Sequence, residues 1–128
     1  AVARVRLLGR DAEQDDAVLR EQLQNTRSVQ AGIQSNPEVA MQMVGLAKTG
    51  VAYYYETRAV MILSGAFVGY LPEHYAEKWL QSGRLRKLLP AERFYHLGIA
   101  AITHQFGRLN KPRDFFMQLL QQHMQGRR

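Results

Sequence analysis

Between Glu56 and Pro90 the chain reads ETRAVMILSGAFVGYLPEHYAEKWLQSGRLRKLLP, and its apolar rhythm changes several times. Residues 59–63 are apolar on every side, which predicts a helical segment set in a core. Ser64-Gly65 ends that segment as a glycine stop. Residues 66–71 are short, apolar and aromatic and predict a buried central strand. Pro72-Glu73 then opens a helix, with proline in the first turn and an acid at the positive end of the dipole. The helix fills 74–81 and Ser82-Gly83 ends it; residues 84–89 form a second strand stopped by Pro90. This order of helix, strand, helix, strand favours parallel or mostly parallel strands with helices laid over them.

Upstream, residues 2–8 alternate. Val5 and Leu7 fall on one side and Arg4 and Arg6 on the other, which predicts a half-exposed strand turned at Gly9-Arg10. A surface helix follows over 11–24. Asp11, Glu13, Asp15 and Asp16 crowd its first turns, and Ala12, Val18, Leu19 and Leu23 form a narrow buried stripe. Residues 27–33 fit a strand. Asn36-Pro37-Glu38 is a strong helix start: Asn as cap, Pro at the first position, and Ser35 placed for a capping box with Glu38. The helix predicted over 37–48 buries Val39, Met43, Val44, Leu46 and Ala47 and stops at Gly50, after which 51–55 reads as a strand. Beyond Pro90, residues 94–103 alternate as one long strand and 107–110 form a loop. Lys111-Pro112 opens a last helix with Phe116, Leu119, Leu120 and His123 at helical spacing, and Gly126-Arg127-Arg128 should fray. Helix, glycine and apolar strand follow one another twice, in NPEVAMQMVGLAKTGVAYY and ETRAVMILSGAFVGYLP, too few copies for a repeat array.

A chain of 128 residues, 46% apolar, has the length and composition of one compact domain with a sizeable core. No apolar run reaches membrane-spanning length, and AVARVRLLGRDAEQ has too short an apolar centre for a secretory signal. Cysteine is absent, which excludes disulfides and thiolate chemistry and suits a reducing cytoplasm. The net charge of +6 is uneven: residues 79–128 carry nine Lys/Arg against two acids. Such a gradient could steer a polyanion, but the basic residues are scattered over several elements without interleaved aromatics, so a solvated face with a basic tail explains them better.

Catalytic and metal signatures are missing. His74, His96, His104 and His123 make no helical ligand spacing; His96 and His104 would share a strand face but stand about 26 Å apart at strand rise. The acids between Asp11 and Asp16 lack the glycine and terminal glutamate of a calcium loop. No nucleophile elbow, phosphate loop or dinucleotide fingerprint occurs. No metal, no cofactor and no enzymatic activity are expected. The unusual local run is Tyr53-Tyr54-Tyr55-Glu56. Read as a strand end, it puts Tyr53 and Tyr55 on one side and brings a tyrosine and Glu56 to the mouth of a cleft, as strand ends of open α/β sheets do. Packed rings with wet hydroxyls are the competing and commoner reading. Tyr70, His74 and Tyr75 lie at a strand end and helix start, where backbone N–H groups can hold a carboxylate. The candidate ligand-binding residues are Tyr53, Tyr55, Glu56, Tyr70 and His74.

ILSGAFVGYLPEHYA followed by SGRLRKLLP resembles the effector-binding domain of LysR-type transcriptional regulators. That family has a helix ending in a small-Gly turn, a strand ending in Leu-Pro, a helix, and a Gly-Arg-Leu strand ending in Leu-Pro. FYHLGIAAITHQFGRLNKPRDFFMQLL resembles the family's return strand and last helix, so the resemblance runs from Tyr53 to Leu120. It implies an α/β fold: a periplasmic-binding-protein-like lobe with a parallel or mixed sheet over 1–93, and a return strand and C-terminal helix over 94–128. It further implies a small effector bound in a cleft, which the helix start at His74 suits to an anion, with homo-oligomerisation, a cytoplasmic location, no membrane, and DNA contacted through a domain not present in this chain. The alternative is a stand-alone basic α/β domain contacting nucleic acid.

Overall fold

The computed structural model describes residues 2–10, 15–32, 36–104 and 109–125. The chain divides into two compact units, Ala3–Leu97, and Gly98–Arg128 together with the first two residues. In order the elements are β1 (Val2–Gly9), α1 (Asp16–Leu23), β2 (Arg27–Gln30), α2 (Pro37–Met43), β3 (Ala47–Val51), α3 (Tyr55–Leu63), β4 (Val68–Pro72), α4 (Glu73–Gln81), β5 (Arg86–Lys87), β6 (Phe94–Gly98) and α5 (Lys111–Gln125).

The sheet has the order β3-β2-β4-β1-β5, and β6 also pairs with β1. It is mixed. β2 runs parallel to β3 and to β4, as helical crossovers require, while β1 lies antiparallel to β4 and β5. As the apolar pattern predicts, β4 is central and all five of its residues are buried. Two apolar clusters cover the sheet. One joins Val5 and Leu7 of β1 and Val68 and Tyr70 of β4 to Leu23 of α1 and Val39 of α2. The other joins Leu8, Val29 and Leu71 to Ala59 and Ile62 of α3 and Ala76 of α4. The alternation of β1 is as expected, with Val5 and Leu7 fully buried and Arg4 exposed.

Three helices end at a glycine in the left-handed region that leads into a strand: Gly45 (φ 79°), Gly65 (φ 82°) and Gly83 (φ 71°). A side chain at this backbone conformation is strained, so glycine is the natural stop. The stop of α2 is therefore Gly45 and not Gly50. The helix predicted to Lys48 ends at Met43, Ala47 opens β3, and Val44 is exposed instead of buried. Gly50 lies inside β3, where a Cβ would stand 2.9 Å from Met61 Cε and 3.1 Å from Phe67 Cε1. It is glycine because α3 and the approach to β4 press against it. Asn36 caps α2, its Oδ1 accepting from the Glu38 N–H at 2.9 Å.

Other boundaries also differ from expectation. The strand predicted over 51–55 ends at Val51, and Tyr55 is the first residue of α3. The run over 59–63 is not apolar on a buried helix all round: Ala59 and Ile62 are buried, but Val60 is 68% exposed because the helical turn carries it outward. The strand predicted over 84–89 shrinks to two residues, and Leu89 turns away at φ 45°. The long strand over 94–103 stops at Gly98; Ile99 and Ile102 are exposed, so the alternation buries no face there. The α1 helix starts at Asp16; Asp11, Ala12 and Glu13, like Ile33, Ser35 and the end at 126–128 that was expected to fray, lie outside the described residues. Helix α5 is capped by Asn110, whose Oδ1 accepts from the Arg113 N–H at 3.2 Å, and it buries no residue of its own.

Ile62 has no exposed surface, and a Cβ added at Gly69 would lie 3.0 Å from its Cδ1. Ile62→Asp should cost about 3–5 kcal/mol, and Val60→Asp, two residues away but exposed, at most about 0.5 kcal/mol. Circular-dichroism melts of the two variants beside the parent check this contrast. Equal melts would contradict the packing described.

Candidate functional site

Strands β2, β3 and β4 run the same way, so their carboxyl ends share one edge of the sheet. After β2 the chain enters α2 on the face of the first cluster; after β4 it enters α4 on the face of the second. Neighbouring β2 and β4 therefore send their connections to opposite faces, which opens a crevice at this edge, the usual place for a ligand in an open α/β sheet. The starts of α3 and α4 border it. Unlike Asn36 of α2, their N-cap residues Tyr54 and Pro72 make no side-chain capping bond. The first N–H groups of both helices thus lack the side-chain acceptor that a capped helix provides.

Between the two helix starts lies Arg58, only 6% exposed. Its guanidinium sits 4.7 Å over the Tyr55 ring, Nη1 donates to the Tyr70 carbonyl at 3.2 Å, and Nε has no hydrogen-bond partner among the described residues. The Tyr55 and Tyr75 rings are 6.1 Å apart, joining the first turns of α3 and α4, and Tyr75 meets Trp79 edge-on at 5.5 Å. Nothing in the periodicity of YETRAVMIL had singled out Arg58. The available signal was a lone cation at the buried spacing 58, 59, 62.

The residues predicted from sequence are placed as follows. Tyr53 and Tyr54 form a bend and are 69% and 73% exposed, so the strand alternation that was to sort them does not apply. The Tyr53 ring occupies the space a Cβ on Gly32 would need, 2.3 Å away. Tyr55 is half-buried and Glu56 exposed in the first turn of α3. Tyr70 offers its carbonyl to the Arg58 side, while its ring packs in the opposite cluster and its hydroxyl donates toward Gln42 Oε1 at 3.0 Å. Burial pushes the Tyr70 hydroxyl up to about 12, against the lowering effect of Arg93, and burial does the same to Tyr95. His74 is exposed and lines an open cavity of about 550 Å³ with Glu73, Glu77, Leu80, Gln81 and Lys87. Tyr55 and Glu56 open α3 together with Arg58, His74 lies in the first turn of α4, and Tyr70 contributes backbone; the cavity beside His74 is lined by α4 and Lys87 and not by Tyr55, Glu56 or Arg58.

Glu73, the first residue of α4, anchors that helix to the sheet. It accepts from Arg6 Nε at 2.9 Å and pairs with Lys87. Burial pushes its carboxyl up, but the hydrogen bonds from Lys87 and Arg6 outweigh burial and hold it below its ordinary value. Among the described residues no three His, Asp or Glu side chains converge as metal ligands, and no helix is long and apolar enough to cross a membrane.

Residues 10–125 match the family described as LysR substrate binding domain. The chain belongs to that family. The match reaches well upstream of Tyr53, where the sequence motifs alone had begun. Over 63 residues, 49% of this chain and 21% of the relative, it is 40% identical to the HTH-type transcriptional activator BauR of Pseudomonas aeruginosa. Two solved LysR-type folds are similar. The bromide ion-bound regulatory domain of HypT from Salmonella typhimurium gives a TM-score of 0.57 at 14% identity, covering 75% of this chain and 48% of that one. VV2_1132, a LysR family transcriptional regulator, gives 0.52 at 17% identity, covering 73% and 32%. The chain spans about a fifth of the length of the curated relative and about half of the HypT domain. The mixed α/β sheet is the periplasmic-binding-protein-like lobe of the LysR substrate-binding domain.

In this LysR lobe the Glu73 pair makes stability pH-dependent. Because the folded pKa is depressed, the contribution is present above the ordinary value of 4.5 and is lost as pH falls through the lowered value. Glu73→Gln should lower the melting temperature by roughly 1–5 °C at neutral pH. Melts repeated down a pH series should show the gap closing in the acid range; a gap independent of pH would contradict the ion pairs.

Proposed function

We propose that this chain is the effector-sensing part of a LysR-type transcriptional regulator and binds a small anionic ligand at the carboxyl edge of β2 and β4. The observation that carries this reading is the meeting of two uncapped helix starts at the point where the connections of β2 and β4 diverge. Tyr53, Tyr55, Glu56 and His74 border the ligand, and Tyr70 supplies backbone. Residues 1–93 act as one lobe and 94–128 as the return segment. The whole protein is not an enzyme, works in the cytoplasm, and contacts DNA through a domain outside this chain.

The alternative of a nucleic-acid surface on the basic half is disfavoured by how those cations are used. Lys87 pairs with Glu73, Arg113 with Asp114, and Arg93 donates to the carbonyls of Gln42 and Val44. Thermal melts with a panel of small carboxylates, neutral amides of equal size and a duplex oligonucleotide separate the readings. A saturable rise with one or more carboxylates is expected. A rise with the duplex alone, steeply reduced by salt, would replace this reading with the nucleic-acid one.

Self-association belongs to the same proposal. Helix α5 leaves Phe115, Phe116 and Leu119 exposed at 63%, 62% and 47%, an apolar face of the kind that marks contacts. Sedimentation equilibrium should find a dimer at micromolar concentration, and the double variant Phe116→Glu, Leu119→Glu should be a monomer with an unchanged melt. A monomeric parent, or a dimer that survives both substitutions, would remove α5 as the interface.

A further inference from the structure

We infer that Arg58 is the carboxylate receptor of this site, so that the effector carries a single negative charge answered by one guanidinium; this rests on the sensing role proposed above. A buried guanidinium is costly unless its donors and its charge are met. Arg58 has five N–H donors, yet among the described residues it makes one side-chain hydrogen bond, to the Tyr70 carbonyl, and Nε makes none. The Tyr55 ring and a carbonyl attract the cation without neutralising it. Its position is also against the helix field. Arg58 stands in the opening turn of α3, at the positive end of the dipole, where an anion belongs and a cation does not.

Other cations of the lobe are arranged the other way. Arg6 has Glu73, while Arg10 and Arg93 donate to carbonyls near the C-terminal ends of α3 and α2. Only Arg58 among these is buried, at a helix start and without an acid. Glu56 lies two positions along α3, a spacing that does not face Arg58, and it is exposed. A planar carboxylate laid across the two helix starts would match the guanidinium fork and accept the uncapped N–H groups. A doubly charged phosphate fits less well, because Glu56 in the same turn has no cation paired with it among the described residues while the site offers one positive charge.

The test is an amide-resolved NMR titration of the full 128-residue chain with acetate, acetamide and methylamine at constant ionic strength. Acetate should shift the amides of Tyr55, Glu56, Arg58, Glu73 and His74 saturably, and acetamide and methylamine should not. Arg58→Gln should abolish the response, and Arg58→Lys should weaken it about tenfold, since a lysine cannot reproduce the two-pronged contact. Arg58→Met keeps the length of the stem and serves if the glutamine variant fails to give a dispersed spectrum. Acetate binding unchanged in a folded Arg58→Gln or Arg58→Met variant would reduce Arg58 to a brace on the Tyr70 carbonyl. Equal shifts from acetamide would overturn the charge role and leave the sensing site standing. No shift at these amides from any of the three probes would overturn the sensing site itself.

Discussion

The structure depends on covering both faces of β4. Its five residues, VGYLP, are all buried. A strand in that position needs partners on both sides and a helix layer on each face. β2 supplies one edge in parallel, through the pairs Ser28 with Val68 and Val29 with Gly69. β1 supplies the other in antiparallel, from Val5 opposite Pro72 to Leu8 opposite Gly69. The faces then divide the rest of the chain: Val68 and Tyr70 take α1 and α2, and Leu71 takes α3 and α4. Gly69 permits the closest approach. A Cβ there would meet Val29 Cγ1 at 2.8 Å and Ile62 Cδ1 at 3.0 Å, so β2 and α3 can press on β4 only because that position is bare.

Covering β4 this way has a consequence for chemistry. Helices that follow parallel strands all begin at the same sheet edge, so their positive ends collect there. In α2 the sequence answers with an asparagine cap. In α3 and α4 it places Tyr54 and Pro72 at the caps, residues with no acceptor side chain for the job. Two helix starts left open beside a buried guanidinium are poor choices for stability alone. Open helix starts of this kind are what the proposed anion site would use.

What the sequence made legible follows from how local the cause is. The glycine after α3 and α4, the Leu-Pro end of β4, the Asn36 cap and the alternation of Val5 and Leu7 all act within a few residues, and each stands where the pattern put it. The failures have non-local causes. Gly50 looked like a helix stop because nothing in its neighbourhood reveals that Met61 and Phe67 press on it. Gly45, the true stop, was passed over because apolar residues continue at helical spacing beyond it. The three tyrosines read as a strand because rings favour strands, yet the third begins a helix. For the candidate site, the rule that ligands gather at strand ends had pointed to Tyr55, Glu56 and His74, which stand at the starts of α3 and α4. Arg58 was missed, because a burial pattern counts apolar residues and is silent on a buried charge. Residues 10–52 of the family match carry few local signatures, and they join the fold through β2 and α2, elements defined by pairing and packing.

The distribution of charge gives the last step. A net charge of +6 in a small chain invites the idea of a polyanion surface. In the folded lobe, several of those cations are engaged one by one with groups of the chain. Arg20 holds Glu92, Arg6 and Lys87 share Glu73, and Arg10 and Arg93 reach carbonyls at or beside the ends of α3 and α2, where the dipole is negative. Each of these placements lowers the electrostatic energy of the native state. Arg58 is the exception: it is buried, stands near the start of its own helix, and has no acid paired with it among the described residues. That exception stands beside the carboxyl edge of β2 and β4, where open α/β sheets take their ligands, and it is the ground for the carboxylate site proposed above.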